Sequence, residues 1–236
     1  MPPVATKKPN IGVQEHERTL IFINGPNFYN AQRAIGMTVN YSNLRAFYDR
    51  NSDLVAAHVY MTLPNDPDFE TPLHPLMKFL GFNGFITHPK YVDIIPADGD
   101  RPARITRPSL ATEVMASVIE NLDGAKHNPI ERLIFIGADA EYEPFLYLFP
   151  KMGLRVTLVG VTRESLKPEY GTPPECTTIP SYTLTPPALR EGVIQDFVEL
   201  GVMRPWFHDQ KMVDRRNAAS APLPGYQDEQ PEIVHR

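Results

Sequence analysis

A single cysteine, Cys176, leaves no partner for an intramolecular disulfide and no set of thiolates for a structural zinc site, a usage that fits a reducing compartment. It lies in a proline-rich stretch with no neighbouring histidine, so nothing supports it as a catalytic nucleophile. The seven histidines include no H-x-x-x-H pair, which removes the zinc-protease pattern. Neither G-x-x-x-x-G-K-[S/T] nor G-x-G-x-x-G occurs, which argues against nucleotide-cofactor chemistry. No apolar run approaches the roughly 18 residues that a bilayer span requires, and Met1 to Arg18 has no apolar stretch of the signal-peptide kind. The expectation is a soluble, cytoplasmic protein that does not engage membranes. Positive charge is also scarce: 23 Lys and Arg against 28 Asp and Glu give a net charge of -5. A globally basic nucleic-acid binder is thereby excluded, and any affinity for nucleic acid has to come from a local basic surface.

What the chain does have is core. Its hydrophobic content of 42%, with 10% aromatic, is that of a folded protein. The 25 prolines, about double the usual frequency of roughly 5%, gather in connections and near the two ends. Apolar runs at Thr19–Asn24, Leu54–Leu63, Gly81–Thr87, Arg132–Ile136 and Arg155–Val159 read as strands. Between them, helical spacing predicts helices over Pro26–Ala34, Ser42–Asp49, Leu73–Leu80, Ser109–Leu122 and Glu143–Lys151. Leu44, Phe47 and Tyr48, and likewise Leu76, Met77 and Leu80, form apolar stripes that belong to a core. Strand and helix alternate without internal repeat, which predicts a three-layer α/β/α sandwich with a mostly parallel sheet. Residues 1–17 read as a flexible lead-in and 18–161 as the domain. Residues 162–203 read as an extension with an edge strand at Thr177–Tyr182 and a closing helix at Ala188–Leu200, and 204–236 as an extended or disordered tail.

In an open parallel sheet, ligands bind beyond the carboxyl ends of the strands. Two of the predicted strands end in polar residues there: Asn24 after the first, and Asp139 with Glu141 after Arg132–Ile136. If those strands are neighbours, the helix from Ser109 brings Glu113 to the same edge. Clustered carboxylates repel one another and persist where a cation neutralises them, so Glu113, Asp139 and Glu141 are candidate ligands for Mg²⁺ or Mn²⁺. Such an ion would activate water against a phosphodiester. Between Lys90 and Pro108 runs an irregular stretch, read as a long loop or hairpin. Its Lys90, Arg101, Arg104 and Arg107, with Tyr91 and nearby His88, have the composition to follow a single-stranded RNA backbone while a ring stacks on a base. The alternative for these residues is a solvated loop whose arginines pair with Asp93, Asp98 and Asp100.

The motifs at these positions resemble those of the NYN domains, a family of PIN-like nucleases. Phe22-Ile23-Asn24-Gly25-Pro26-Asn27-Phe28-Tyr29 is similar to the family's F-I-D-G-x-N-L-Y opening. Leu110-Ala111-Thr112-Glu113-Val114-Met115 is similar to its L-A-x-D-x-M helix, and Gly137-Ala138-Asp139-Ala140-Glu141-Tyr142 to its S-G-D-x-D-F strand end. Gly153-Leu154-Arg155-Val156 matches its G-x-x-V. The likeness runs from about Arg18 to Val161.

The resemblance implies a metal-dependent endoribonuclease in which Asn24, Glu113, Asp139 and Glu141 are catalytic. It adds Asn27 and Tyr29 to the substrate-binding residues Lys90, Arg101, Arg104 and Arg107. Its alternative is a catalytically impaired relative that binds single-stranded RNA, or a protein partner through the C-terminal tail; homo-oligomerisation is left open. The departures are chemical: Asn24, Glu113 and Glu141 stand where the family has Asp, and Arg107 stands where it has another Asp. Asp93 in Lys90-Tyr91-Val92-Asp93 is the carboxylate available to replace that last one. A guanidinium among the carboxylates would supply the charge that an ion otherwise brings.

Overall fold

The computed structural model describes residues 13, 15–66, 71–96, 104–105, 109–138, 140–161 and 196–209. They form a six-stranded parallel sheet between two layers of helices. In chain order the elements are β1 (Arg18–Asn24), α1 (Gly25–Ala34), α2 (Tyr41–Asn51), β2 (Asp53–Pro64), α3 (Leu73–Phe82) and β3 (Ile86–Val92). There follow a short ladder of β4 (Ile94–Ile95) with β5 (Arg104–Ile105), then α4 (Ala111–Gly124), β6 (Arg132–Ile136), α5 (Glu143–Leu146), β7 (Arg155–Gly160), β8 (Asp196–Glu199) and α6 (Arg204–Phe207). The sheet order is β3-β2-β1-β6-β7-β8.

Period-two alternation builds the layers, because successive residues of a strand face opposite sides. Ile21 and Ile23 of β1, with Ala57, Val59 and Met61 of β2, meet Phe28, Leu44, Tyr48 and Leu80 on one face. Leu20 and Phe22 of β1, with Tyr60 of β2, meet Val114, Val118 and Leu146 on the other. Each fully buried side chain of this size contributes about 1.5–3 kcal/mol. The register of β1 on β2 slips between Thr19 and Leu20, a bulge at the foot of the sheet.

Several elements differ from the sequence reading, each for a local reason. Helix α2 starts at Tyr41, ahead of the expected Ser42, because Asn40 caps it, its side chain accepting from the Asn43 amide. Gly81 and Phe82 continue α3, and Gly84, at φ +80°, makes the turn into β3, which therefore starts at Ile86 and includes Lys90. Glu143–Lys151 is interrupted: α5 stops at Leu146, and a single 3₁₀ turn at Pro150–Met152 precedes Gly153. Asp196–Glu199, expected inside a closing helix, is instead an edge strand paired with β7. The expected edge strand at Thr177–Tyr182 and most of that closing helix lie outside the described residues.

The start of the expected tail is part of the core. Phe207 of α6 is fully buried against Phe47 and Tyr48 of α2, and Trp206 packs beside Phe47. The Asn40 amide donates to Phe207 O and the Asp209 amide to Thr38 O, while Arg204 reaches Ile35 O and Gly36 O. The folded unit thus extends past residue 161.

At the amino-terminal end of the strands lies a buried ion network absent from the sequence reading. Arg132 Nε donates to Glu17 Oε2 at 2.7 Å, and its Nη1 donates to Thr157 Oγ1 at 2.6 Å and Asp196 Oδ2 at 2.8 Å. Arg155 pairs with the other Glu17 oxygen at 2.5 Å. One guanidinium thereby ties the foot of β1 to β6, β7 and β8.

Candidate functional site

The order of the parallel strands reverses between β1 and β6, and the crevice beyond their carboxyl ends is where such a sheet receives a ligand. β1 and β6 are direct neighbours, Phe22 opposite Phe135 and Ile23 opposite Ile136, so the two polar strand ends do share one edge. Asn24 ends β1, buried. Its Oδ1 accepts from the Asn27 amide at 3.3 Å, capping α1, and its Nδ2 donates to the Tyr142 hydroxyl at 3.4 Å. The second contact stitches the β1 end to the turn after β6.

Two glycines hold this junction open. A Cβ on Gly25 would stand 1.9 Å from Met61 Sδ and 2.7 Å from Tyr60 O. Gly137 has φ +72°, and a Cβ there would meet the Phe28 amide nitrogen at 2.8 Å and Asn24 O at 3.0 Å. Only glycine lets the chain leave β6 this close to the start of α1.

Glu113 sits in the first turn of α4, where a carboxylate suits the positive end of the helix. Its Oε1 is ion-paired with Lys90 of β3, and Lys90 Nζ also donates to Ser109 O at 3.0 Å. Glu113 Oε2 is buried and has no hydrogen-bond partner among the described residues. The cation on Glu113 is thus Lys90, a pairing that the reading of Lys90 as a loop residue missed. Arg107 lies outside the described residues, as do Arg101 and Asp139. Arg104 contributes its backbone to the β4–β5 ladder, opposite Ile95. Glu141 is exposed on the 3₁₀ turn Ala140–Tyr142. Asn27 is half-buried, and Tyr29 is half exposed with the Arg33 guanidinium 5.9 Å from its ring centre. Asp93 accepts from Asn65 Nδ2 at 3.1 Å. Among the described residues, no three or more His, Cys, Asp or Glu side chains are grouped to hold a metal ion.

Beneath α4 the sheet carries a polar ladder. Asn24 of β1 lies opposite Tyr60 of β2, and Tyr60 opposite His88 of β3. The Tyr60 and His88 rings stack at 4.4 Å, His88 and His58 at 5.2 Å, and His58 and Phe22 at 5.0 Å. His58 Nδ1 and His88 Nε2 are 3.0 Å apart, hydrogen-bond distance. Burial, and then the neighbouring His88, lower the His58 pKa to about 4, against a smaller pull from Asn121. Burial pushes the Tyr60 hydroxyl up to about 12, opposed in part by Ser117 and reinforced by Glu120 and Glu113. The signal for this ladder was in the sequence: His58 and Tyr60 alternate with apolar residues inside an apolar strand, where unpaired polar groups are costly.

No helix among the described residues is long and apolar enough to cross a membrane. No family model and no curated protein matches the chain. Among solved structures, a Vibrio parahaemolyticus protein of unknown function is similar at 16% identity and a TM-score of 0.49, over 78% of this chain and 93% of that chain.

Proposed function

We propose that this chain is an NYN-like domain that acts on single-stranded RNA as a metal-dependent endoribonuclease, with the crevice between the β1 and β6 ends as its site. One observation supports the reading: the strand order reverses where the Asn24–Tyr142 contact brings the NYN-like opening to the Ala140–Tyr142 turn, which carries Glu141. Glu113, beside Lys90 of β3, keeps a buried carboxylate oxygen without a hydrogen-bond partner among the described residues, the kind of donor that Mg²⁺ or Mn²⁺ takes. Glu113, with Asp139 and Glu141, would hold the ion, which when bound supplies Lewis acidity and an activated water. Asn24 fixes the junction between the two strand ends, Lys90 supplies a cation for a phosphate, and the exposed Tyr29 ring offers a base a stacking surface.

The Lys90–Glu113 ion pair favours a second reading, in which an internal ammonium takes the place of the ion and the domain binds RNA without cutting it. An end-labelled single-stranded RNA, incubated with the protein in Mn²⁺ or in EDTA, separates the two. The first reading expects Mn²⁺-dependent cleavage that Asp139→Asn and Glu113→Gln each reduce by two or more orders of magnitude. Binding that is equal in EDTA and Mn²⁺, with no cleavage by the parent protein, establishes the second. An RNA neither bound nor cut refutes both.

A further inference from the structure

Among the described residues, three buried polar atoms in one seam between α4 and the sheet lack a well-aligned hydrogen bond: His58 Nε2, near Asn121, the Tyr60 hydroxyl, near Ser117, and Glu113 Oε2. Buried groups of this kind are nearly always satisfied, so their grouping calls for an explanation. At the centre of the seam, His58 and His88 hold one short nitrogen-to-nitrogen contact of 3.0 Å. It can exist only while one of the two facing nitrogens carries a proton and the other a lone pair. Protonation of both rings would set N–H against N–H and two positive charges within one stack.

We propose that the His58–His88 pair is an acid-sensitive latch that holds helix α4, and with it Glu113, against the sheet. With a single shared proton at the contact the pair closes the seam; with both rings cationic, the contact becomes repulsive and α4 lifts.

Every element packed around the pair bears on it. From α4, Glu120 draws a proton toward His88, Asn121 contacts His58 while its Nδ2 donates to Ser117 O at 2.8 Å, and Glu113 lies two turns nearer the start of the helix. From β1, the neutral Phe22 ring stacks on His58, and from β2, the Tyr60 ring stacks on His88. From β3, Lys90 lies two residues past His88, its charge directed at Glu113. Solvent has a route in. A cavity of about 370 Å³, bordered by Arg18, Val55, Glu120, Asn121 and Gly124, opens beside the amide that covers His58. Arg18 and Glu120 are the charged residues of its lining, and Arg18 Nη1 is held at 3.2 Å by Asp53. Both imidazoles have pKa values below that of a free histidine, His58 to about 4, as expected where a charge would be buried. The latch is thus closed at neutral pH and opens in acid.

Amide hydrogen exchange on the full chain, corrected for the intrinsic pH dependence of exchange, tests this directly. Peptides covering Ala111–Gly124 should lose at least tenfold in protection between pH 6.5 and pH 4, while those covering β6 keep theirs. The double substitution His58→Phe with His88→Phe retains the ring stack and should abolish the pH-dependent loss. Should that variant fail to fold, His88→Gln removes one titrating group and should shift the loss to lower pH. The latch is overturned if α4 and β6 lose protection together, or if the variants leave the α4 transition where it was. It is equally overturned if imidazole NMR signals of the wild type titrate as two free histidines near pH 6.5.

Discussion

Asn24 shows how much structural work a single side chain performs at the candidate site. Its carbonyl oxygen satisfies one of the first free amides of α1, and its amide reaches Tyr142, so the residue fixes both walls of the crevice. Asn24→Ala should therefore destabilise the protein by about 1–2 kcal/mol, the usual worth of a helix cap together with one buried hydrogen bond. Asn24→Asp keeps an acceptor for the Asn27 amide, places a negative charge at a helix N-terminus and allows Tyr142 to donate instead, so it should cost little. If the crevice takes a divalent ion, the same substitution should tighten Mn²⁺ binding by roughly tenfold through the added carboxylate. Chemical denaturation and Mn²⁺ titration of the two variants read these effects separately. Equal stability in both variants would mean that the cap contributes nothing.

Whole elements respond to the buried charges at the opposite end of the strands. Arg132 is almost entirely buried and its partners come from the segment before β1 and from β7 and β8. Arg132→Leu leaves Glu17 to Arg155 and takes the guanidinium away from Asp196, and removing one partner of a buried pair costs about 3–5 kcal/mol. A urea midpoint unchanged by Arg132→Leu would show that the network carries no net stability. Acid acts on the other face of the sheet. The His58 pKa is about 4 in the folded chain, below the 6.5 of a free imidazole, so between those values the unfolded chain binds a proton that the folded chain does not. Stability should accordingly be intact above pH 6.5, fall as the pH drops toward 4, and level off below. With about 1.4 kcal/mol per pKa unit the loss is on the order of 3 kcal/mol. His58→Phe should flatten the urea midpoint over that window. These elements also mark the limit of sequence reading. Strands β1, β2, β6 and β7 were legible because their apolar runs are local signals. The identity of β8 was not, since Asp196–Glu199 becomes a strand by pairing with β7 and through Arg132, both distant in sequence. Lys90 reads as the start of a loop because an irregular stretch rich in Pro and Gly follows it, and Pro89 lies just before it. An edge strand tolerates proline, and there Lys90 faces Glu113.

For the molecule as a whole, a net charge of -5 restricts how it could hold a polyanion. The chain cannot attract RNA by its overall field, so on the proposed reading binding rests on a local set of cations, Lys90, Arg101, Arg104 and Arg107. For single strands each neutralised phosphate contributes a slope of about -0.7 to the logarithm of affinity against the logarithm of salt, so four contacts limit the slope to about -3. Lys90 is the informative member, because its ammonium is already committed to Glu113 and Ser109 O. If RNA draws Lys90 away from Glu113, Lys90→Ala should weaken binding and make the slope shallower by about 0.7. If Lys90 stays on Glu113 and serves only as an internal counter-ion, Lys90→Ala leaves the slope unchanged while exposing an uncompensated carboxylate. Affinity should then fall further through repulsion, and Glu113→Gln added to Lys90→Ala should restore it. Filter binding of a short single-stranded RNA at several salt concentrations distinguishes these outcomes. A slope steeper than about -3 would instead require a basic surface beyond these four residues.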